Sequence, residues 1–165
     1  MNPLPDFDAL PDALTSIRTR PLFVVKLDVK PLVVVGATPG PFRRIGIVPS
    51  GRFEGERLSG HVIDGSSDWQ TVRSDGSVTL DVRLVLHTDD GTAIAMRYGG
   101  VRHGPPDVIR RLESGEDVAP GDYYFRIAPT FEAPAGRYDW LNRIVAVGTG
   151  HRFRDGPVYS VFEVL

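Results

Sequence analysis

Residues 79–87 constrain this chain more than any other stretch. Leu80, Val82, Leu84 and Leu86 fall on every second position, with Thr79, Asp81, Arg83, Val85 and His87 between them. Side chains of a strand alternate between its two faces, so this pattern describes a strand with one continuous apolar face. Asp75-Gly76 precedes it and Asp90-Gly91 follows it, and Asp-Gly between alternating runs is a tight-hairpin signal. Three strands joined by two such turns make an antiparallel meander, and the chain around them must complete a β structure. If the leucines face an outer layer, Asp81 and Arg83 point into a barrel. If they face inward, Asp81 and Arg83 are a solvated cross-strand pair.

The rest of the chain carries the same punctuation. With 18 Gly and 14 Pro in 165 residues, breaks are too frequent for long helices and suit many short strands. Alternating runs at 23–29, 43–49, 68–73, 93–98, 123–128, 137–147 and 158–164 read as strands. Residues 32–35 continue or pair with the first of these, and 53–63 is bent at Gly55 and Gly60. Residues 108–113, after Pro105-Pro106-Asp107 and before Gly115, are the best helix, with a cap at Asp107. A second helical turn is expected at 12–17. Residues 1–20 read as an arm and 21–165 as one domain. The expected fold is an all-β closed antiparallel barrel, lipocalin-like in general architecture, of roughly nine or ten strands with one or two short helices; closure removes exposed edges.

Charge and composition exclude several function classes. A net charge of −2 and a pI near 6.1, with basic runs no longer than Arg43-Arg44 and Arg110-Arg111, argue against nucleic acid. The absence of cysteine removes disulfides, thiolate metal sites and a Cys nucleophile. The acidic, proline-rich start is unlike a secretory signal, and no apolar run approaches the ~20 residues of a membrane helix. The expectation is a cytoplasmic protein without membrane partners. His61, His87, His103 and His151 are scattered with no close-spaced pair, so no metal is expected. The loop 36–41 lacks the lysine of a phosphate loop, and Ser66 and Ser67 beside Asp68 are turn residues without a nucleophile-elbow context.

Two segments carry side chains suited to a cavity. Read as strand, 138–142 places Tyr138, Trp140 and Asn142 on one face, and Tyr124 and Arg126 share a face of the preceding strand. Two phenols, an indole, a guanidinium and a carboxamide would line a ligand pocket, or be core aromatics with satisfied polar tips.

An ordered set of motifs accompanies them. Arg43-Arg44, Gly51-Arg52-Phe53-Glu54-Gly55 with Leu58-Ser59-Gly60, Asp68-Trp69, Asp75-Gly76, Asp81-Val82-Arg83, Thr88-Asp89-Asp90-Gly91, Tyr98-Gly99-Gly100, Tyr124-Phe125-Arg126, Phe131-Glu132 and Tyr138-Asp139-Trp140-Leu141-Asn142 occur in that order. From about residue 20 to the C-terminus the chain resembles the small bacterial and fungal proteins grouped as domain of unknown function 3237. The resemblance implies a compact antiparallel barrel, often a homo-oligomer, with no obligatory metal or cofactor and no settled activity. Ala133 stands where the family pattern has Thr after Phe-Glu. The resemblance also places Asp68, Arg83, Tyr98, Arg126, Glu132, Tyr138, Trp140 and Asn142 in its motifs.

The expected function is small-molecule binding with cofactor-independent acid/base chemistry: isomerase, cyclase, dehydratase or lyase steps on an aromatic or polyketide-like carbonyl compound. Asp68 or Glu132 would be the acid/base and Arg126 the third catalytic group. Arg83, Tyr98, Tyr124, Tyr138, Trp140 and Asn142 would bind substrate. A non-catalytic ligand-binding barrel and a structural subunit of an oligomer are the rival readings. An enzyme should carry a partly buried, unpaired carboxylate with a raised pKa beside Trp140; a binding barrel should have its carboxylates paired with arginines.

Overall fold

A computed structural model of the chain describes residues 4–165. The order is α1 (Asp12–Thr15), β1 (Thr19–Asp28), β2 (Val33–Ala37), β3 (Phe42–Val48), β4 (Ser50–Glu54), β5 (Ser59–Val62), β6 (Ser66–Val72), β7 (Val78–Thr88), β8 (Ala93–His103), α2 (Pro106–Glu113), β9 (Tyr124–Glu132), β10 (Ala146–Phe153) and β11 (Gly156–Val164), with three short 3-10 helices. All pairings are antiparallel. The ring β7-β5-β4-β1-β11-β10-β9-β8 closes through β7–β8, giving an eight-stranded barrel, and β6, β3 and β2 extend from β7 as a flap.

The flap explains why there are eleven strands and not nine or ten. Pro49 breaks one long strand into β3 and β4, and 63–65 divides its partner into β5 and β6. β7 then serves both: Val78–Arg83 pairs with β6 and Leu86–Thr88 with β5. β2 pairs with β3, not with β1. The two hairpins flanking β7 form as the sequence indicates, with Gly91 at φ 89 in the second, a conformation that only glycine adopts without strain.

Of the two orientations open for β7, the leucines face inward. Leu80, Val82, Leu84 and Leu86 are buried among Phe23, Phe53, Ile94, Met96, Phe131 and Val161. Asp81 and Arg83 are outside, and the neighbour of Asp81 is Arg97 across the β7–β8 ladder, at 3.9 Å. β9 runs through Pro129 where a strand end was expected. β10 is in register only with Arg126 and Ile127, so one edge of β9 beyond them is free and a missing N–H is tolerated.

The expected strand at 137–147 is the main correction. Residues Asp139–Arg143 form a 3-10 helix, with Leu141 N–H donating to the Tyr138 carbonyl at 3.0 Å. Three residues per turn put Tyr138 and Leu141, both buried, on the same face. The strand-like sharing of one face by Tyr138, Trp140 and Asn142 therefore does not occur.

The two barrel ends differ. At the bottom, beside the β7–β8 turn, Tyr138 O–H donates to Asp90 at 2.9 Å and Arg137 pairs with the same carboxylate at 3.1 Å. Glu163 there accepts from Arg20 at 2.8 Å and from Arg57, and the Arg57 guanidinium lies 4.0 Å over the Trp140 ring. This end is sealed. At the top, α2 leaves β8 and lies over the opening, its Leu112 buried. Pro105 precedes it with no side-chain cap bond, and Asp107 sits in its first turn. Gly115, at φ 83, turns the chain out of the helix. No helix among the described residues is long and apolar enough to cross a membrane.

Candidate active site

The polar groups inside this barrel gather at the top. Asp68 and Gln70, two apart on β6, both point inward, while Trp69 between them is exposed. In the neighbouring register Arg44 of β3 faces Gln70. Tyr98 and Arg102 share the inner face of β8, and Arg152 and Tyr159 come from β10 and β11. Alternation on five strands thus delivers seven polar side chains to one mouth.

A hydrogen-bond chain fixes their roles. Glu113 on α2 accepts from Arg44 at 2.9 Å, Arg44 Nε donates to Gln70 Oε1 at 2.8 Å, and Gln70 Nε2 donates to Asp68 Oδ2 at 2.6 Å. Because the Gln70 oxygen is taken by a guanidinium, its NH2 must face Asp68. Asp68 Oδ1 is buried with no hydrogen-bond partner among the described residues, as is Arg102 Nε. An unpaired buried oxygen disfavours the ionised form. Burial raises the Asp68 pKa to about 6, against the opposing pull of the Gln70 hydrogen bond and of Arg102, Arg44 and Arg152. Burial likewise pushes the Tyr98 and Tyr159 phenols well up, and the nearby Asp68 carboxylate adds to both. The phenols therefore stay O–H donors, their rings meeting edge to face at 5.4 Å.

Two spaces that share Gln70, Arg102 and Arg152 in their walls adjoin these groups. The inner one, about 20 Å³, lies among Asp68, Tyr98, Arg102, Phe125 and Tyr159, enough for one water or one substrate oxygen. The outer one, about 420 Å³, is bounded by Leu32, Arg44, Gln70, Arg102, Glu113, Arg152 and Arg154. That volume lies in the range of small-molecule sites. A larger groove, about 710 Å³, runs along the outer wall by Tyr124, Ile127, Val147 and Phe162. It has no carboxylate in its lining, whereas the inner space at the mouth is lined by Asp68.

Of the residues singled out in the sequence, the mouth brings together Asp68 and Tyr98. The others lie elsewhere, for identifiable reasons. Glu132, Arg126 and Tyr124 are on the outward positions of β9, and Arg83 is on the outward face of β7. Arg126 lies over the Tyr124 ring at 4.9 Å, and Tyr124 stacks on His103 at 5.0 Å. Tyr138 and Trp140 belong to the sealed bottom, roughly 20 Å from Asp68 along β7 at ~3.3 Å per residue. Asn142 clamps backbone: its Oδ1 accepts from Ala133 N–H at 2.8 Å, and its Nδ2 donates to the Ala133 carbonyl at 2.9 Å and the Asp139 carbonyl at 3.0 Å. The raised carboxylate expected beside Trp140 is found at the opposite end. The sequence reading passed over Gln70, Arg44, Arg102, Arg152 and Tyr159. The signal for Gln70 was its spacing of two from Asp68, and for Arg102 its spacing of four from Tyr98. Among the described residues no cluster of three or more His, Cys, Asp or Glu could hold a metal.

Fold and site together define a small closed antiparallel β-barrel, sealed below and opening above into a polar mouth rich in arginine. The chain belongs to the family described as protein of unknown function (DUF3237), which matches residues 17–164. A conserved protein of unknown function from Rhodopseudomonas palustris is 31% identical, covering 91% of this chain and 99% of its own, with a TM-score of 0.88. A β-barrel-like protein from Acinetobacter baumannii is 36% identical over 91% of this chain and 97% of its own, with a TM-score of 0.79. A structure described as an enzyme from Penicillium herquei shares the fold at 18% identity, TM-score 0.68, covering 90% and 95%.

Proposed function

We propose that this barrel is a cofactor-independent enzyme that moves a proton next to a carbonyl group of a small molecule, with Asp68 as the acid/base. The observation that carries this reading is the free, buried Asp68 Oδ1 facing a space that admits one oxygen-sized group. Gln70 holds the other carboxylate oxygen and so aims this one. With its pKa at about 6, Asp68 is a carboxylate at neutral pH yet basic enough to take a proton and return it. As the substrate loses a proton its carbonyl oxygen gains negative charge. Arg102 Nε and a Tyr98 or Tyr159 hydroxyl are buried donors held ready for that oxygen. Isomerisation, cyclisation, dehydration and lyase steps all begin with such a transfer. A barrel that only sequesters a ligand would have every mouth carboxylate paired with arginine; Glu113 is so paired, with Arg44 and Arg102, but Asp68 is left without an ion pair.

The test is hydrogen–deuterium exchange into a panel of small ketones, keto acids and hydroxyaryl ketones in D2O, followed by NMR. The wild type is expected to accelerate exchange of protons adjacent to the carbonyl in at least one compound, and D68N to lose about 10²–10⁴-fold of that rate. Exchange that survives unchanged in D68N would sink the mechanism.

A further inference from the structure

The outer cavity has more positive charge than the protein uses. Arg44, Arg102, Arg152 and Arg154 border it, and its one lining carboxylate, Glu113, is shared by Arg44 at 2.9 Å and Arg102 at 3.6 Å. Of other nearby acids, Asp155 is taken by Lys26 at 2.6 Å and Glu116 by Arg111 at 3.0 Å, while Asp117 forms no ion pair among the described residues. Among the described residues neither Arg152 nor Arg154 has a carboxylate within ion-pair distance. Arg102 is buried with its Nε unpaired, in a site where Arg44 and Arg152 repel it. Of the four arginines only Arg102 is buried, while Arg44 and Arg152 are half-buried and Arg154 is exposed; a buried donor without an acceptor is costly, and a structure that gathers these charges from three strands and a turn leaves an acceptor to be supplied from outside. Phe153 is the one aromatic ring in this lining, against four guanidinium groups.

We infer that the substrate of the proton transfer proposed above is an organic anion, a carbonyl compound bearing a carboxylate. Its carboxylate lies in the outer cavity against Arg152 and Arg154, and its carbonyl oxygen enters the inner space between Arg102 and Asp68. Guanidinium forks match carboxylate geometry in two parallel hydrogen bonds, which orients the molecule as well as holding it. The inference rests on the acid/base reading only for the word substrate; as a statement about what the cavity binds, it stands on the arginines.

The experiment compares 4-acetylbenzoate with its methyl ester, alongside aliphatic keto acids and their esters, by calorimetric titration and NMR shift mapping at low salt. The acids are expected to bind at least tenfold tighter than their esters, to shift the amides of β6, β8 and β10, and to weaken as salt is added. The R152Q/R154Q double variant is expected to lose that preference by tenfold or more. It should melt no lower than wild type, because it relieves repulsion on Arg102, so a binding loss in it is not a folding loss. Equal binding of acid and ester, an unchanged preference in R152Q/R154Q, or no saturable binding by any carboxylate of the set overturns the inference. D68N separates the two claims. Retained anion binding with lost exchange supports both, and retained exchange removes the acid/base role while leaving the anion site standing.

Discussion

Replacing Asp68 by Asn should make the protein more stable at pH 8 and leave it nearly unchanged at pH 4. Folding raises the Asp68 pKa from 3.8 to about 6, chiefly through burial. A group with a raised folded pKa contributes stability that is full below the unfolded value and is lost as pH rises through the folded one. Each unit is worth about 1.4 kcal/mol, so the ionised side chain costs the native state about 3 kcal/mol above pH 6. Asn is neutral at every pH, and its oxygen can still accept from Gln70. Urea unfolding followed by Trp69 and Trp140 fluorescence at pH 4 to 8 measures the difference directly. For a chain of 165 residues, 3 kcal/mol corresponds to a rise in Tm of about 6–12 °C at pH 8. Any fixed cost of the amide displaces both ends equally, so the slope between pH 4 and 8 is the quantity tested. A D68N offset that stays constant across this range, or one that falls toward high pH, would refute the placement of an unpaired, buried carboxylate here.

Further expectations concern the mouth and the parts that support it. Exchange catalysis should rise with pH through about 6 and then level off, because the carboxylate form is the base; an initial-rate profile that is flat from pH 5 to 8 contradicts this. Asn142→Ala should cost about 1 kcal/mol or more through the lost backbone clamp, with no change in anion affinity, read by urea unfolding and calorimetry. Gly115→Ala, at φ 83, should destabilise by about 1–2 kcal/mol and loosen the seating of α2 over the mouth, visible as faster amide exchange in 106–113.

The barrel was legible because its evidence is local and periodic. The β7 alternation and its two Asp-Gly turns fix a meander, and the density of Gly and Pro fixes short strands. The fold of 138–142 was not legible, because Tyr138, Trp140 and Asn142 satisfy a period of two as readily as Tyr138 and Leu141 satisfy a period of three. Only the contacts with Asp90, Arg57 and Ala133 decide between them. Asp68 could be named from its motif, but its partners arrive from β3, β8, β10 and β11, and that convergence is a property of barrel closure. Arg44 illustrates the difficulty: in sequence it is half of a basic pair, and in the fold it alone turns inward to meet Gln70. The prominent aromatics Tyr138 and Trp140 lie at the end away from Asp68, where the rings serve as a plug.

That plug has a kinetic meaning. With Tyr138, Trp140 and the Arg20–Glu163–Arg57 cluster closing the bottom, the described barrel is a cul-de-sac whose arginine-rich opening is both entrance and exit. If the proposed reaction takes an anion, a product that keeps its negative charge must leave past the same guanidinium groups that draw the substrate in. Under that proposal, turnover would be set by how weakly the product is held at the threshold, and excess product in solution would occupy the doorway and slow the next arrival.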